Sequence, residues 1–567
     1  MVQGTAPGPV SVRPWLSMYP PGIPAEIDVT SPRTLVDILR LSTTQCAARP
    51  AIRCFGTSVT YAELGASADA IAAWLVAEGF RKGDRIAIMM PNVPAYPATI
   101  YGILLAGCVV VNVNPLYTPR ELAVQINDSG AKALFVLENF AHTVAGAGAD
   151  LDLDRIVVAG PGDGLGLKGR IIDLAARHIK KAVPPYRLPT GKTLRFDAVV
   201  RRGRSLPKVS VPVGPQDLAF LQYTGGTTGA AKAAMLTHAN VVANVAQCRV
   251  WFCVSETDGV DRVMVTALPL YHIFALTGCF FLFMSIGGCC LLIPNPRDVD
   301  GFVKTLKGNR FTHISGVNTL FNMLNNHPKI TEVDFSAIHF VIAGGMAVQA
   351  PVAAKWKAIT GKSIVEGYGL SETSPVVCVN DPRADWTGTI GFPVPSTDVA
   401  IRDAEGRDVL PGEPGELCVR GPQVMAGYWK RPDETALATT SDGYFRTGDV
   451  AVLQADGQVR IVDRMKDMIL VSGFNVYPNE VEEILVGHPG VLECAVVGTR
   501  SEETGEMVVA HVVLKDKSVD VEALRSYARS QLTGYKVPRR IVFHDALPKT
   551  NVGKVLRRAL RDDAARP

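Results

Sequence analysis

The chain has 567 residues, more than a single hydrophobic core usually supports, so we expect two or more domains. Apolar residues make up 47% of the sequence and charged residues 20%, which excludes a disordered or collagen-like chain. The formal net charge of +4 is small for this length and no concentrated Lys/Arg block is present, so nucleic-acid binding is not indicated. The eleven cysteines are scattered without a C-x-x-C pair, which favours a reduced, cytoplasmic compartment.

Short apolar runs alternate with helical patterns in the first part of the chain. Residues 85–90 and 109–113 predict strands on either side of a helix over 96–106. Further strands are predicted over 133–137 and 156–159. This alternation is typical of the α/β class, with layers built on largely parallel sheets.

Residues 168–187 predict an amphipathic helix. On a helical wheel, the apolar side carries Ile171, Ile172, Ala175, Ile179, Ala182 and Val183. The largely opposite side carries Arg170, Arg177, Lys180 and Lys181. Only Asp173 is acidic in this stretch. Two interpretations remain open: an interfacial helix attracted to anionic lipid, or a surface helix packed on its own domain.

No charged residue lies between Ile273 and Ile293, a stretch long enough to span a bilayer. Gly287 and Gly288 interrupt it, and Pro294 follows its end. We therefore predict a buried helix, a turn and a buried strand rather than a membrane span. The N-terminal residues also lack the continuous apolar stretch of a signal peptide.

The character of the sequence changes after about residue 462, where the charged stretch DRMKD lies between two apolar strands. Beyond it we predict helices over 480–486 and 521–531 and strands over 492–497 and 508–514. We place a domain boundary near Arg464, between an N-terminal domain of residues 1–463 and a C-terminal domain of residues 464–567.

Residues 223–232 read YTGGTTGAAK and follow an apolar strand over 218–222. Glycines allow positive φ and close approach to a ligand, and successive backbone N–H groups can form an anion site. This is not a Walker A loop, because Ala233 rather than Ser or Thr follows the lysine. The residues expected to hold a triphosphate are Tyr223, Thr224, Gly225, Gly226, Thr227, Thr228, Gly229 and Lys232.

Further motifs follow in order: LPLYHIF at 268–274, EGYGLSE at 366–372, residues 415–429, YFRTGDV at 444–450, residues 463–480 and PKTNVGK at 548–554. Together they resemble the adenylate-forming superfamily of acyl-CoA synthetases, luciferases and peptide-synthetase adenylation domains. Within it, the chain is most similar to bacterial long-chain fatty acid–CoA ligases. The resemblance implies a large N-terminal domain of layered α/β subdomains with an additional β subdomain, and a small, mobile α+β C-terminal domain.

The resemblance also implies a two-stage reaction. A fatty acid carboxylate attacks the α-phosphate of ATP to give an acyl-adenylate and pyrophosphate, and coenzyme A then displaces AMP. The expected cofactors are ATP, Mg²⁺ and coenzyme A as cosubstrate. A cytoplasmic location with peripheral membrane association at the inner face of the cell membrane, and a homodimer, are further hypotheses.

The resemblance assigns roles to residues that match its motifs. Lys554 is expected to stabilise charge in adenylation, and Thr224 and Glu372 to act in catalysis and hold the metal. Nucleotide contacts beyond the phosphate segment are expected from Gly344, Gly345, Gly367, Tyr368, Gly369, Thr373, Asp449 and Arg464.

Two further groups concern the acyl chain and the thiol. His272, Phe274 and Gly344 are expected to border the acyl pocket. Lys466 occupies the position of the family's domain hinge, and Gly473 is expected to line the coenzyme A tunnel. Many relatives have glycine where this chain has Ala233, which leaves the geometry of the phosphate segment open.

Other functions remain open from the sequence alone. One is an aryl- or medium-chain acyl-CoA ligase, which a ranking of acids by chain length would separate. Another is a fatty acyl-AMP ligase or peptide-synthetase module that passes the acyl group to a carrier protein, although no carrier domain follows in this sequence. A non-catalytic lipid- or nucleotide-binding protein is disfavoured by the four candidates Thr224, Glu372, Asp449 and Lys554.

Overall fold

A computed structural model describes residues 13–224, 231–252, 261–501, 503–550 and 553–564. The strands of the N-terminal part are β1 (Pro50–Cys54), β2 (Thr57–Thr60), β3 (Arg85–Met89), β4 (Val109–Asn112), β5 (Ala131–Leu137), β6 (Arg155–Ala159), β7 (Thr193–Arg195), β8 (Leu218–Thr224), β9 (Lys232–Thr237), β10 (Val263–Thr266), β11 (Cys289–Leu292), β12 (His313–Gly316), β13 (Phe340–Gly344), β14 (Val365–Gly369), β15 (Val376–Val379), β16 (Phe392–Pro393), β17 (Asp398–Arg402), β18 (Gly415–Arg420), β19 (Phe445–Leu453) and β20 (Val459–Arg464).

The helices of the same part are α1 (Leu35–Gln45), α2 (Tyr61–Ala77), α3 (Ala95–Leu105), α4 (Pro119–Ser129), α5 (Ala141–Ala147), α6 (Gly166–Leu174), α7 (Phe196–Arg204), α8 (His238–Trp251), α9 (Leu282–Ser285), α10 (Val299–Lys307), α11 (Asn318–Asn325), α12 (Ala350–Thr360) and α13 (Pro432–Leu437). The C-terminal part contains β21 (Ile469–Val471), β22 (Phe474–Val476), α14 (Pro478–Val486), β23 (Val491–Ser501), β24 (Gly505–Leu514), α15 (Val521–Arg529), β25 (Arg540–His544) and α16 (Arg557–Ala564).

Two large sheets organise the N-terminal part. Their strand orders are β7-β6-β5-β3-β4-β8-β9 and β16-β15-β14-β13-β12-β10-β11-β1-β2. Most neighbours are parallel, with antiparallel strands at the edges, such as β9 beside β8 and β15 beside β14. One core joins both sheets, including Ile88 of β3 and Val265 of β10, and α3 is buried along its whole length. The predicted α/β class with largely parallel sheets is confirmed.

The remaining strands form two smaller sheets. Strands β17 to β20 make an antiparallel sheet, which is the expected additional β subdomain. In the C-terminal part, β22-β21-β24-β23 form a sheet, with β25 parallel to β24. The apolar clusters of this C-terminal part share no residue with the main core, so the smaller domain is built around its own core. The precise boundary near Arg464, where β20 ends, stays a prediction.

The uncharged stretch from Ile273 to Ile293 folds as predicted. A π-helical segment (Ala275–Phe281) continues into α9, and β11 follows after the turn at Gly287 and Gly288. Within the described ranges, no helix combines the length and apolarity needed to cross a membrane.

The predicted helix over 168–187 is shorter than expected. Helix α6 continues as one π-helical segment (Ala175–Ile179) and then ends, because Lys181 takes a positive φ of 49°. The predicted single apolar side is also wrong, since Ile172 packs partly against the core whereas Ile171 is exposed. The π-helical geometry changes which side chains share a side, which a regular helical wheel does not include.

Candidate active site

The candidate site lies where several parallel strands end. Thr224 is the last residue of β8, Gly344 of β13 and Gly369 of β14. Carboxyl ends of parallel strands meet at one edge of a sheet, where ligands of open α/β sheets usually bind. β8 belongs to the seven-stranded sheet, and β13 and β14 belong to the nine-stranded sheet. The turn Ser371–Thr373 that follows β14 packs against β8, so the two sheets together bring the phosphate segment and the EGYGLSE motif to the site.

Tyr368, Asp449 and Arg464 form one connected group. The Tyr368 hydroxyl donates to Oδ2 of Asp449 over 2.5 Å, and Nε of Arg464 lies 3.1 Å from the other carboxylate oxygen. Cross-strand pairing of Asp449 with Arg464 between β19 and β20 sets this geometry. Asp449 is buried while the Arg464 side chain is about half exposed, so the carboxylate is fixed and the guanidinium can reach a ligand.

Lys554 comes from the C-terminal domain and reaches the N-terminal one. Its Cε lies 3.4 Å from the Cβ position of Gly345, and Nζ lies 3.8 Å from it. The preceding Gly553 is held there by Thr319, whose hydroxyl donates to the Gly553 carbonyl over 3.3 Å. Burial and the positive charge of Arg464 lower the pKa of Lys554 to about 8. The Lys554 ammonium thus lies beside the connected side chains of Asp449 and Arg464.

Local geometry explains why glycine occupies the two positions at the end of β13. A Cβ on Gly344 would lie 2.9 Å from the Gly367 carbonyl oxygen and 3.1 Å from Cε1 of Phe274. Gly345 takes a positive φ of 79°, which side chains disfavour. Phe274 and Gly344, both assigned to the acyl pocket, are therefore in contact.

His272 lies close to the same place and stays neutral. Burial and the nearby Lys554 ammonium lower the pKa of His272 to about 3. Its Nδ1 accepts a bond from the backbone N–H of Phe274 over 3.3 Å. A neutral imidazole in this position fits a wall of the acyl pocket better than acid–base catalysis.

The described ends of the phosphate segment belong to two antiparallel strands, β8 and β9, with Thr224 opposite Lys232. Its predicted phosphate ligands Gly225, Gly226, Thr227, Thr228 and Gly229 lie outside the described residues. Lys232 forms an ion pair with Glu434 of α13, and its ammonium lies 5.3 Å from the ring centroid of Tyr428.

Ala233 is a strand residue whose side chain is buried in an apolar cluster. Its carbonyl accepts a hydrogen bond from the N–H of Trp429 over 2.9 Å. The β9 strand therefore accommodates the alanine methyl group within this cluster.

Glu372 is buried and faces Tyr428. The Tyr428 hydroxyl donates to Oε1 of Glu372 over 2.8 Å. Burial raises the pKa of Glu372, and the bond from Tyr428 opposes that rise. The turn that carries Glu372 also packs against β8 and β9, the strands to which Thr224 and Lys232 belong. A carboxylate and a hydroxyl are suitable hard oxygen ligands for Mg²⁺, so this donor set fits the expected ion.

Other predicted nucleotide residues are used within the protein. The Tyr223 hydroxyl donates to Asp128 over 2.6 Å. The Thr373 hydroxyl donates to the Pro375 carbonyl, which closes the turn after Glu372. A Cβ on Gly369 would lie 1.9 Å from the same Pro375 carbonyl oxygen, so packing alone requires that glycine. Nucleotide contacts by these residues stay predictions.

The two residues assigned to the second stage lie at the domain junction. Lys466 is central in a turn closed by a 3.0 Å bond from the Asp467 N–H to the Arg464 carbonyl. Gly473, with a φ of 85°, lies in the exposed hairpin between β21 and β22. The structure places Lys554, and not Gly473, against Gly345.

Three functional candidates were not assigned from the sequence. Tyr428 and Glu434 hold Glu372 and Lys232, as described above. Arg557 contacts Asp463, Asp467 and Glu482. Tyr428 lies inside the 415–429 motif, which was the only sequence signal for it. Arg557 lies outside the motifs named in the sequence analysis, so no sequence signal indicated its contacts.

Comparisons with known proteins show the family of the chain. A family model for "AMP-binding enzyme" matches residues 40–429, and one for "AMP-binding enzyme C-terminal domain" matches residues 480–554. The chain therefore belongs to the AMP-binding enzyme family.

Several sequence relatives are named long-chain-fatty-acid–CoA ligase. The chain is 49% identical to that of Escherichia coli O157:H7, over 97% of this chain and 98% of the relative. It is 45% identical to that of Haemophilus influenzae, over 98% of this chain and 99% of the relative. Among solved structures, ATP-bound MatB from Rhodopseudomonas palustris superposes with a TM-score of 0.79 at 27% identity, covering 94% of this chain and 99% of that one.

Proposed function

We propose that the protein is a long-chain fatty acid–CoA ligase that works through an acyl-adenylate. The observation that carries the proposal is the position of Lys554, which lies against Gly345 beside the Asp449–Arg464 pair. The names of the sequence relatives support the acyl and thiol substrates.

In the first stage, a carboxylate oxygen bonds to the α-phosphorus of ATP while the bond to the pyrophosphate oxygen breaks. The Lys554 ammonium would stabilise the negative charge that develops between carboxylate and phosphate. Lys232 would leave Glu434 and attend the departing pyrophosphate, and Asp449 would accept hydrogen bonds from the ribose hydroxyls. Tyr368 would lie beside the adenine.

Mg²⁺, when bound, would neutralise phosphate charge. We assign Glu372 and Thr224 to hold it, since their oxygens fit its preference. The Tyr428 hydroxyl keeps the Glu372 carboxylate in one orientation.

In the second stage, the thiol loses its proton to water and its sulfur bonds to the acyl carbon. The bond between that carbon and the bridging oxygen breaks, and AMP leaves with this carboxylate-derived oxygen. We propose that the C-terminal domain turns about Lys466, so that Lys554 withdraws and the hairpin of Gly473 takes its place. A side chain at Gly473 would then obstruct the pantetheine arm. In the present arrangement its Cβ position contacts nothing within 4 Å among the described atoms.

Two observations favour an apolar acyl chain. Phe274 contacts Gly344 at the beginning of the uncharged, largely buried stretch from Ile273 to Ile293. The neutral His272 adds no charge to this wall. We also propose a cytoplasmic location with peripheral contact at the inner face of the cell membrane, since long acyl chains partition into bilayers.

The test of the reaction uses purified protein with ATP, magnesium, coenzyme A and saturated acids of increasing length, together with benzoate. AMP and thioester are measured in the same reaction. We expect equal amounts of both and the highest kcat/KM with long-chain acids. A maximum with benzoate or a medium-chain acid would reject the long-chain assignment, and AMP release without a CoA thioester would reject the ligase.

The test of the site separates the two stages. Lys554→Ala should abolish pyrophosphate release from ATP and fatty acid, yet largely spare thioester formation from supplied acyl-adenylate. Lys549→Ala, on the same loop, is the matched control, since Lys549 instead pairs with Glu493. Equal loss of both stages in the Lys554 variant would refute its assignment to adenylation.

A further inference from the structure

An exposed apolar row runs along α6 and the π-helical segment that follows it. Its members are Leu167, Ile171, Leu174 and Ile179, which are between 57% and 79% exposed. Contiguous exposed apolar side chains on a globular protein mark an interaction surface more often than isolated ones do. We call this set the α6 row.

The π-helical segment keeps the row continuous. In an α-helix, residues four and seven positions after Leu167 share its side, which places Ile171 and Leu174 there. The next turn is π-helical, with the Lys180 N–H donating to the Ala175 carbonyl over 2.8 Å. A π turn closes its hydrogen bond over five residues instead of four, which shifts the following side chains by one position and brings Ile179 to the side of Leu174. A regular α-helix would have placed His178 there instead.

The opposite side of α6 is fixed to the protein, so the row cannot turn inward. Gly169 packs so closely that a Cβ would lie 2.0 Å from the Gly162 carbonyl oxygen. Asp173 also faces inward, and its Oδ1 accepts a bond from the Gly162 N–H over 2.7 Å. The one acidic residue of the segment is therefore turned away from the exposed side.

The charges around the row have one sign. Residues 166–187 contain six Lys or Arg and one Asp. Arg170, Lys180 and Lys181 are exposed and make no ion pair with any described residue. An apolar row bordered by free cations is the composition of a helix that lies in a membrane interface.

We propose that the α6 row, with Arg170, Lys180 and Lys181, is a docking surface for a bilayer rich in anionic phospholipid. The leucine and isoleucine side chains would enter the headgroup–acyl boundary, and the three cations would contact lipid phosphates. The surface lies outside the candidate active site, so its binding does not depend on the proposed reaction.

The apolar part is tested with the full-length protein and vesicles, without nucleotide. Partition coefficients are measured by co-sedimentation with phosphatidylcholine alone and with phosphatidylcholine containing phosphatidylglycerol. We expect binding to the anionic vesicles, weakened at least about tenfold by Leu167→Ser with Ile171→Ser. The matched control is Leu410→Ser with Leu437→Ser, since these two leucines are 71% and 77% exposed elsewhere.

The charged part is tested with Arg170→Gln, Lys180→Gln and Lys181→Gln together. Three basic residues near an anionic surface raise the partition coefficient about a hundredfold, so the triple variant should bind anionic vesicles more weakly by that factor. The control variant replaces the exposed Lys304, Lys515 and Lys517 with Gln, and it should bind the vesicles as the wild type does.

Equal binding to neutral and anionic vesicles would overturn the proposal, and so would unchanged binding of the α6 variants. It would also be overturned if sedimentation velocity showed that the α6 variants lose self-association while their vesicle binding is unchanged. Pyrophosphate release with a medium-chain acid shows that each variant is folded.

Discussion

The hydroxyl of Tyr428 donates a hydrogen bond to Oε1 of Glu372 over 2.8 Å, while the Tyr428 ring lies under the Lys232 ammonium. One aromatic side chain thus contacts both the candidate metal ligand and the lysine of the phosphate segment. The backbone of Tyr428 is fixed in turn by a bridge to Ala234 of β9. The 425–429 segment therefore positions the polar groups of the phosphate end of the site.

Removing this hydroxyl should change the pH dependence of adenylation. Burial already raises the pKa of Glu372, and the bond from Tyr428 stabilises its ionised form, so Tyr428→Phe raises that pKa further. The ionised carboxylate is the form that binds metal, so activity is lost as pH falls through the pKa. We expect the acidic limb of kcat/KM for pyrophosphate release to move to higher pH.

The matched control is Tyr101→Phe, because the buried Tyr101 hydroxyl has no hydrogen-bond partner among the described residues. It should keep the wild-type pH profile. An acidic limb that stays in place in Tyr428→Phe would show that the hydroxyl does not influence Glu372.

The lowered pKa of Lys554 predicts a basic limb in the pH profile of adenylation. Its pKa is lowered to about 8, so the ammonium loses its proton as pH rises through that value. Since the charged form is needed to stabilise the transition state, kcat/KM for adenylation should fall above about pH 8. Lys554→Arg keeps its charge to higher pH. The variant should therefore be slower and should lack this limb, and the same basic limb in both proteins would contradict the prediction.

The sequence predicted the motif residues of the site but not their supports. Asp449, Arg464 and Lys554 lie in ordered motifs, and the structure brings these three together. The partner of Tyr428 is 56 positions away and that of Arg557 is 75 positions away. Such pairs depend on the tertiary fold, so local patterns carry no signal for them.

The α/β layers were predictable because buried parallel strands are continuous apolar runs. The α6 segment was not fully predictable, since its apolar periodicity fits either a packed or an exposed helix. The π turn at Ala175–Ile179 decides which side chains face out, and composition does not predict such a turn.

Arg557 should stabilise the C-terminal domain. Its guanidinium lies 2.7 Å from Glu482 and 3.6 Å from Asp463. Asp463 is buried and Glu482 is partly buried, and desolvation raises the pKa of both carboxylates. Arg557→Met leaves these carboxylates without their cation, which costs about 3–5 kcal/mol when they are ionised. The loss should therefore be largest at neutral pH and shrink as falling pH protonates them.

Thermal unfolding midpoints at pH 7 and pH 5.5 measure this effect. The control is Arg558→Met, because the neighbouring Arg558 is exposed and makes no ion pair within the described ranges. A pH-independent loss of stability in Arg557→Met would show that packing, and not the buried charges, explains the change.

Lys466→Pro tests the hinge. A proline fixes φ at this position, so rotation of the C-terminal domain and thioester formation should be impaired. The resemblance predicts that adenylation is spared, but the turn around Lys466 predicts a cost to that stage as well. The N–H groups of Asp467 and Met468 both donate to the Arg464 carbonyl, which requires a tight helical turn at Met465. Proline disfavours that conformation in the residue before it.

We therefore expect Lys466→Pro to lower thioester formation from supplied acyl-adenylate at least about a hundredfold and adenylation about threefold, which corresponds to a strain of about 0.7 kcal/mol. Lys466→Ala is the matched control, because it removes the side chain without restricting φ, and both stages should stay within about twofold of wild type. Single-turnover measurements of each stage separate the two effects. If Lys466→Ala impaired thioester formation as strongly as Lys466→Pro, the Lys466 side chain, and not backbone rotation at this turn, would limit the second stage.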